Sequence, residues 1–328
     1  MKEIQAIVHR LNAGAGRTVL ATLVTVEGSS YRRPGARLLV LSRGERIGSI
    51  SGGCLEEDVM ARAAAVARNG LPDVALYDTA SENDQVWGVG LGCHGIVRIL
   101  IEPLPDRPGW AAAIDESLRA GKAREIGVRW QGGSLGTRLA EEFAAGAPAD
   151  GVYWQTVEPP NALFVFGAGD DAQPLVKLAD SLGWSVTVAD PRPAYATEPR
   201  FPAARRVVSQ PADRLVAAAD PPEGAIAVVM SHHYVHDVPV LRDLLGRRLS
   251  YVGLLGPRRR GRRLLQDIRA AGTLFAADAL ERLHSPAGLD LGSDGPDEVA
   301  LSIVAEIRAV LAGRSGRPLR ERKAPIHE

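Results

Sequence analysis

Cysteine is scarce in this chain: Cys54 and Cys93 are the only two in 328 residues. Two thiols do not make a disulfide framework, and a reducing compartment keeps them free. Net charge is also missing, because 39 basic residues balance 39 acidic ones. The overall balance therefore gives no electrostatic reason to expect a nucleic acid or an anionic membrane as partner. No stretch approaches the roughly 18 uncharged apolar residues of a membrane span. Met1 to Arg10 carries charges within a short amphipathic pattern, unlike the apolar core of a signal peptide. The expected compartment is the cytoplasm. Lysine is limited to Lys2, Lys122, Lys177 and Lys323. None of them completes a Tyr-x-x-x-Lys pair of the kind that marks hydride transfer. No tandem repeat or low-complexity tract is present.

The length suits two domains, and 45% apolar with 24% charged residues is a globular composition. The first domain is expected over 1–158, with a core to about 105. Lys2 to Asn12 reads as a helix, Arg17 to Val26 as a buried strand, and Ala36 to Leu41 with Arg46 to Ile50 as a hairpin-like pair. Leu55 to Asn69 reads as a helix capped by Gly70, and Ile96 to Ile101 as a strand. Weaker signals suggest a helix over Trp110 to Ala120 and strands over Ala123 to Trp130 and Gly151 to Val157. Glu158-Pro159-Pro160 is a stiff break that sets the boundary. Over 159–328 strands alternate with helices. The strands are Leu163 to Phe166, Ser185 to Ala189, Ala225 to Met230 and Tyr251 to Leu254, and a closing helix covers Asp297 to Leu311. That rhythm predicts an α/β protein whose second domain is a doubly wound, Rossmann-like parallel sheet.

Phe166-Gly167-Ala168-Gly169-Asp170-Asp171-Ala172 is a G-x-G-x-x-A turn between a strand and a helix. Gly167 permits the tight turn, and Gly169 permits backbone to approach a pyrophosphate at the helix N-terminus. Asp190 lies 23 residues beyond Gly167, where an acid that bonds ribose hydroxyls usually sits. Asp170 and Asp171 add negative charge beside the phosphate position and oppose tight phosphate binding. NAD(P) or another nucleotide is thus one expected ligand. Ser231 to Asp237 places His232, His233 and His236 at the carboxyl end of a parallel strand, where open α/β sheets bind ligands. Gly253 to Arg260 follows the next strand, and Arg258 heads its arginines as an anion donor. No metal site is expected: no C-x-x-C spacing occurs, and adjacent histidines need not face one point.

Both thiols sit in glycine-rich turns. Ser51-Gly52-Gly53-Cys54 ends a strand and opens a helix, where free N–H groups and the helix dipole favour a thiolate. Cys93, followed by His94, closes Gly88 to Gly95 (GVGLGCHG). A thiolate there can bind a soft metal or carry sulfur, whereas a free cysteine is more often a small buried hydrophobe. Arg33 belongs to a basic loop, Gly28 to Gly35 (GSSYRRPG), suited to phosphate or carboxylate.

These segments together, with Gly48 to Glu56 (GSISGGCLE), His284 to Gly292 (HSPAGLDLG) and Ala300 to Ile307 (ALSIVAEI), resemble the XdhC/CoxI family over nearly the whole chain and in order. The resemblance implies an accessory factor for xanthine dehydrogenase, carbon monoxide dehydrogenase or a related hydroxylase. Such proteins bind molybdenum cofactor, support its sulfuration with a cysteine desulfurase, and pass it to the molybdenum hydroxylase apoenzyme. Carried onto this chain, it makes Cys54, then Cys93, the candidates for contact with sulfur or molybdenum. Gly52, Gly53, Arg33, His94, Gly167, Gly169, Asp190, His232, His233 and Arg258 are the candidate cofactor-binding residues. A homodimer is expected from the general prevalence of such assemblies. The competing readings are an NAD(P)-dependent oxidoreductase and a nucleotide-sensing regulatory protein.

Overall fold

A computed structural model of the chain describes residues 2–42, 44–78, 95–143 and 150–324. The chain divides into two compact units, Met1–Pro159 and Pro160–Glu328.

The first unit runs α1 (Lys2–Asn12), β1 (Thr18–Gly28), β2 (Arg37–Val40), β3 (Arg46–Gly48), α2 (Glu56–Asn69), β4 (Asp73–Asp78), β5 (Gly95–Leu104), α3 (Gly109–Arg119), β6 (Arg124–Arg129), β7 (Gly136–Leu139) and β8 (Val152–Val157). Five strands form one antiparallel sheet in the order β3-β2-β1-β5-β4, and three form a second in the order β7-β6-β8. β1 is buried on both faces. Val19, Ala21 and Leu23 pack with Val59, Ala63 and Val66 of α2, while Leu20 packs with Leu39, Trp110, Ile114 and Ile126 on the other side. Burial on both sides accounts for its nearly unbroken apolar run. β4 and β7 were not expected. In β4 the apolar residues Val74 to Tyr77 form one short run without alternation, and Gly136-Thr137-Arg138-Leu139 has too few apolar residues to signal a strand. α2 ends as expected: Gly70, at φ 72°, donates its N–H to Val66 O.

The second unit runs β9 (Ala162–Phe166), α4 (Ala172–Ser181), β10 (Ser185–Ala189), β11 (Arg206–Val208), α5 (Ala212–Ala219), β12 (Ile226–Val229), α6 (Tyr234–Leu245), β13 (Tyr251–Leu254), α7 (Arg258–Ala270), α8 (Ala277–Glu281), β14 (Leu283–His284) and α9 (Pro296–Leu311). Its sheet is parallel, in the order β11-β10-β9-β12-β13-β14. This is the doubly wound Rossmann order, which reverses between β9 and β12 and opens a crevice at their carboxyl ends. Alternate residues of β9 feed two cores. Leu163 and Val165 meet α4 and α9, and Phe164 and Phe166 meet α5, α6 and α7. The two central strands β9 and β12 are therefore apolar throughout. The short outer strands β11 and β14 carry no comparable signal.

Candidate functional site

In the first unit the turn before α2 is organised by one carboxylate. Glu56 is 6% exposed. Its Oε1 accepts the Ser51 N–H and the Ser49 hydroxyl, each at 2.9 Å, and its Oε2 accepts the Ser51 hydroxyl. Ser51 Oγ in turn accepts the N–H groups of Gly53 and Leu55, both at 3.1 Å. Burial opposes ionisation of Glu56, but the bonds from Ser51 and Ser49 outweigh it and hold the carboxyl below its ordinary range. The turn's own side chains thus use two of the N–H groups expected to face a ligand. The helix starts at Glu56 rather than Leu55, and its first turn is acidic: Glu56, Glu57 and Asp58. The Cys54 thiol is exposed and has no partner among the described residues. Beside it Gly53, at φ 114°, meets no described residue within 4 Å of where a side chain would stand.

The basic loop lies against this turn. A Cβ on Gly52 would meet the Tyr31 ring at 3.7 Å. Glu3 of α1 joins the two segments: one oxygen accepts the Ser49 N–H at 2.6 Å and the other pairs with Arg32. Arg33 is exposed on that loop. The structure therefore brings the Arg33 loop to the Cys54 turn. Cys93 and His94 lie outside the described residues.

In the second unit the crevice at the carboxyl ends of β9, β10 and β12 gathers Gly167, Gly169, Asp190, His232 and His233. The structure adds a second reason for Gly167 to the tight turn expected of it. At φ 125°, a Cβ there would fall 2.5 Å from the Met230 carbonyl carbon and 2.6 Å from the Ser231 nitrogen. The missing side chain lets the ends of β9 and β12 close on each other. Asp190 is fully buried, and both its oxygens are engaged. Oδ2 accepts the Ala168 N–H at 2.7 Å and Arg192 Nη2 at 2.8 Å, while Oδ1 accepts the Arg192 N–H at 2.8 Å and Nε at 2.9 Å. Burial alone would raise the Asp190 carboxyl, yet Arg192 and the Ala168 amide carry it below its ordinary range. Arg192 also covers the Tyr195 ring at 4.0 Å and reaches His233 Nε2 at 3.5 Å. The two acids of the glycine turn are paired as well. Asp170 takes Arg200 at 2.8 Å, and Asp171 takes His232 Nε2 at 2.6 Å.

Behind the histidines, buried Asp237 accepts the Ser231 hydroxyl and Arg260 Nη2, and Arg260 Nη1 reaches His232 O at 3.3 Å. Among the described residues no three His, Cys, Asp or Glu side chains are grouped as metal ligands. Arg258 stands apart from this cluster. It lines two open clefts of about 330 and 690 Å³, the larger walled by Pro286 to Ser293. That wall is fixed from within by Glu306, which accepts the Tyr251 hydroxyl and the Gly288 N–H and pairs with His284 at 3.2 Å.

Sequence reasoning missed Glu56, Arg192, Arg200 and Glu306. Two had a local signal. Ser49, Ser51 and Glu56 fall within eight residues, and Arg192 is two residues from Asp190. Arg200 and Glu306 meet their partners only through the fold.

Comparison with known proteins agrees with this architecture. Residues 12–78 match the model of the XdhC and CoxI family, and residues 163–307 match that of the XdhC Rossmann domain. The chain is 35% identical over 312 residues to a probable xanthine dehydrogenase subunit of Bacillus subtilis, covering 88% of this chain and 92% of that one. The chain belongs to the XdhC/CoxI family. A second relative is the molybdenum cofactor insertion chaperone PaoD of Escherichia coli, 24% identical over 92% of this chain and 86% of its own. The crystal structure of a xanthine dehydrogenase from Bacillus halodurans superimposes with a TM-score of 0.83 at 31% identity, covering 98% of this chain and 99% of that one. Within the family frame, the Cys54 turn falls in the segment matched at the N-terminal side, and the glycine turn and His284 to Gly292 fall in the Rossmann segment. Among the described residues no helix is long and apolar enough to cross a membrane.

Proposed function

We propose that this protein is an accessory factor that takes molybdenum cofactor as cargo, supports its sulfuration, and delivers it to the apoenzyme of a molybdenum hydroxylase. Family membership and likeness to an insertion chaperone support the accessory role. The observation that carries the site is an exposed thiol on a turn whose backbone is already fixed by Glu56 and Ser51. A preorganised turn presents its thiol without an ordering cost on binding. Among the described residues nothing stands over Gly53, which leaves room for a bulky ligand next to Cys54, and a thiol is a ligand type that suits molybdenum or sulfur. Arg33, on the loop beside the turn, is the cation for an anionic group of the cargo. In the second unit His232, His233 and the glycine turn line a crevice for a polar heterocycle, and Arg258 stands beside the larger cleft. A cysteine desulfurase is the expected sulfur source, and the working compartment is the cytoplasm.

A nicotinamide dinucleotide is the weaker reading for the Rossmann crevice. The acid that would hold its ribose is bonded to Arg192 and Ala168, and the turn that would cradle its pyrophosphate carries two paired carboxylates. The deciding experiment titrates the purified protein with molybdenum cofactor and with NADH, for wild type and Cys54→Ser. Saturable cofactor binding that weakens in Cys54→Ser, with less sulfurated cofactor in the client hydroxylase, is expected. Saturable NADH binding with turnover of a small metabolite, and no cofactor binding, would overturn the proposal.

A further inference from the structure

The two sheets of the first unit face each other across Leu20, Val24, Leu39, Leu100, Ile126 and Val128. Into this apolar seam three neighbouring strands direct polar side chains on one face. Arg37 comes from β2, Thr22 from β1 and Glu102 from β5. The register sets Thr22 opposite both Arg37 and Leu100, and residues two apart along a strand share a face, so Glu102 lies one step further along β5. Arg37 is 1% exposed, Thr22 0% and Glu102 5%.

The guanidinium is only half used. Its Nη1 donates to Gly35 O at 3.0 Å and to Gln155 Oε1 at 2.6 Å. Its Nε and Nη2, and the Thr22 hydroxyl oxygen, meet no hydrogen-bond partner among the described residues. Nε and Nη2 form the side-on edge of the guanidinium, a fork of two parallel donors that suits one acceptor position or a pair of them. An arginine does not shed its charge to escape burial, and charged donors left unpaired in an apolar seam are among the costliest groups a fold can hold. Glu102 supplies the counter-charge, but its carboxylate is turned to β7. There it accepts the Thr137 N–H at 2.9 Å and the Thr137 hydroxyl at 2.5 Å. Burial holds the Glu102 carboxyl above its ordinary range, against the Thr137 hydrogen bonds and the smaller pull of Arg37, so the two groups sense each other without touching. Gly136 of β7 packs close to the same carboxylate, where a Cβ would stand 3.0 Å from Oε2.

We propose that one ordered water occupies this seam, accepting from Arg37 Nε and Nη2 and donating to Thr22 Oγ1 and Glu102, so that Arg37 and Glu102 form a solvent-separated buried ion pair. Buried waters make about three hydrogen bonds to groups that are otherwise unsatisfied, and these residues supply that set. Glu102 is the seam's own acid, so a neutral water rather than a foreign anion completes the set. The water site also serves the neighbouring loop. Arg37 holds Gly35 O, and the Tyr153 hydroxyl donates to Pro34 O at 2.9 Å, so the seam pins the end of the segment that carries Arg33.

The test uses the full chain in three measurements. A high-resolution crystal structure is expected to show one spherical density within about 3 Å of Arg37 Nε, Arg37 Nη2 and Thr22 Oγ1. Amide hydrogen exchange of β1 and β2 is expected to show about tenfold lower protection in Thr22→Val, with recovery in Thr22→Ser. In a double-mutant cycle, Arg37→Met and Glu102→Gln are each expected to lower protection about a hundredfold or more, and together by at least tenfold less than the product. If Arg37→Met fails to fold, a Thr22→Val and Glu102→Gln cycle replaces it, with the same expectation of non-additivity. Direct contact between Arg37 and Glu102, bromide density at the fork after a soak, no density at all, or strictly additive variants would each overturn the proposal.

Discussion

Replacing Glu56 by alanine tests whether the thiol turn is built the way its hydrogen bonds indicate. The carboxylate accepts one backbone N–H and two hydroxyls. Hydrogen bonds to charged groups contribute about 1.5–3 kcal/mol each, and a buried N–H left unpaired costs about 1–3 kcal/mol. The serine hydroxyls can turn to other acceptors, so the sum is not additive, and the expected loss at neutral pH is about 3–4 kcal/mol. Glu56→Gln keeps one acceptor oxygen and is expected to lose about 1–2 kcal/mol. Denaturant unfolding of the first unit measures the loss. Amide exchange localises it, because Gly53 and Leu55 are bonded through Ser51, which Glu56 orients. The pH dependence adds a sign. The folded-state carboxyl lies below its ordinary value of 4.5, so Glu56 contributes fully above that value and loses its contribution as pH falls through the folded-state value. The gap between wild type and Glu56→Gln should therefore be widest near neutrality and close under acid. Unchanged protection at Gly53 and Leu55, with a stability change below about 0.5 kcal/mol, would mean that Glu56 does not hold the turn.

Further outcomes follow from the same contacts. Gly167→Ala should destabilise the second unit by about 3 kcal/mol or more, since a Cβ would strike the backbone at Met230 and Ser231 in a positive-φ position; thermal unfolding checks this. Cys54→Ser should leave stability within about 0.5 kcal/mol of wild type, because the thiol is exposed and has no partner among the described residues, while cofactor retention falls; equal retention in the two proteins removes the thiol from the site. Asp190→Asn should weaken the second unit most at neutral pH and least in acid, because the Asp190 carboxyl is also held below its ordinary range; unfolding curves between neutral pH and about pH 3 measure the convergence. NADH fluorescence titration should show no saturation for wild type, as Arg192 occupies the acid a ribose would need.

Elements with their own strong pattern were readable from the sequence. Pro296 to Leu311 has proline at its start, acids in its first turn and an apolar face, and β9 with its glycine turn has the spacing of a Rossmann entry. β4 and β14 were not readable, because Val74 to Tyr77 is a short apolar run without the alternation that marks a strand, and Leu283-His284 is a two-residue strand defined only by its pairing with β13. At the candidate site, the structure adds reasons for the glycine turns that the sequence did not show. Gly167 admits a neighbouring strand, and Asp170 and Asp171 are held by Arg200 and His232, residues 30 and 61 positions away. No local pattern encodes such pairings; the sheet order creates them.

β1 pairs along its length with β5 and over part of it with β2, and successive side chains go to opposite cores. Its partner register slips once, between Leu23 and Thr25, where Val24 is the additional residue. Losing Ala21, with the residues before it held in place, would turn those after it to the opposite cores, putting Thr22 beneath α2 and Leu23 in the arginine seam. The strand thus works as a ruler whose one permitted irregularity has already been spent, and length changes in this unit must fall in its loops.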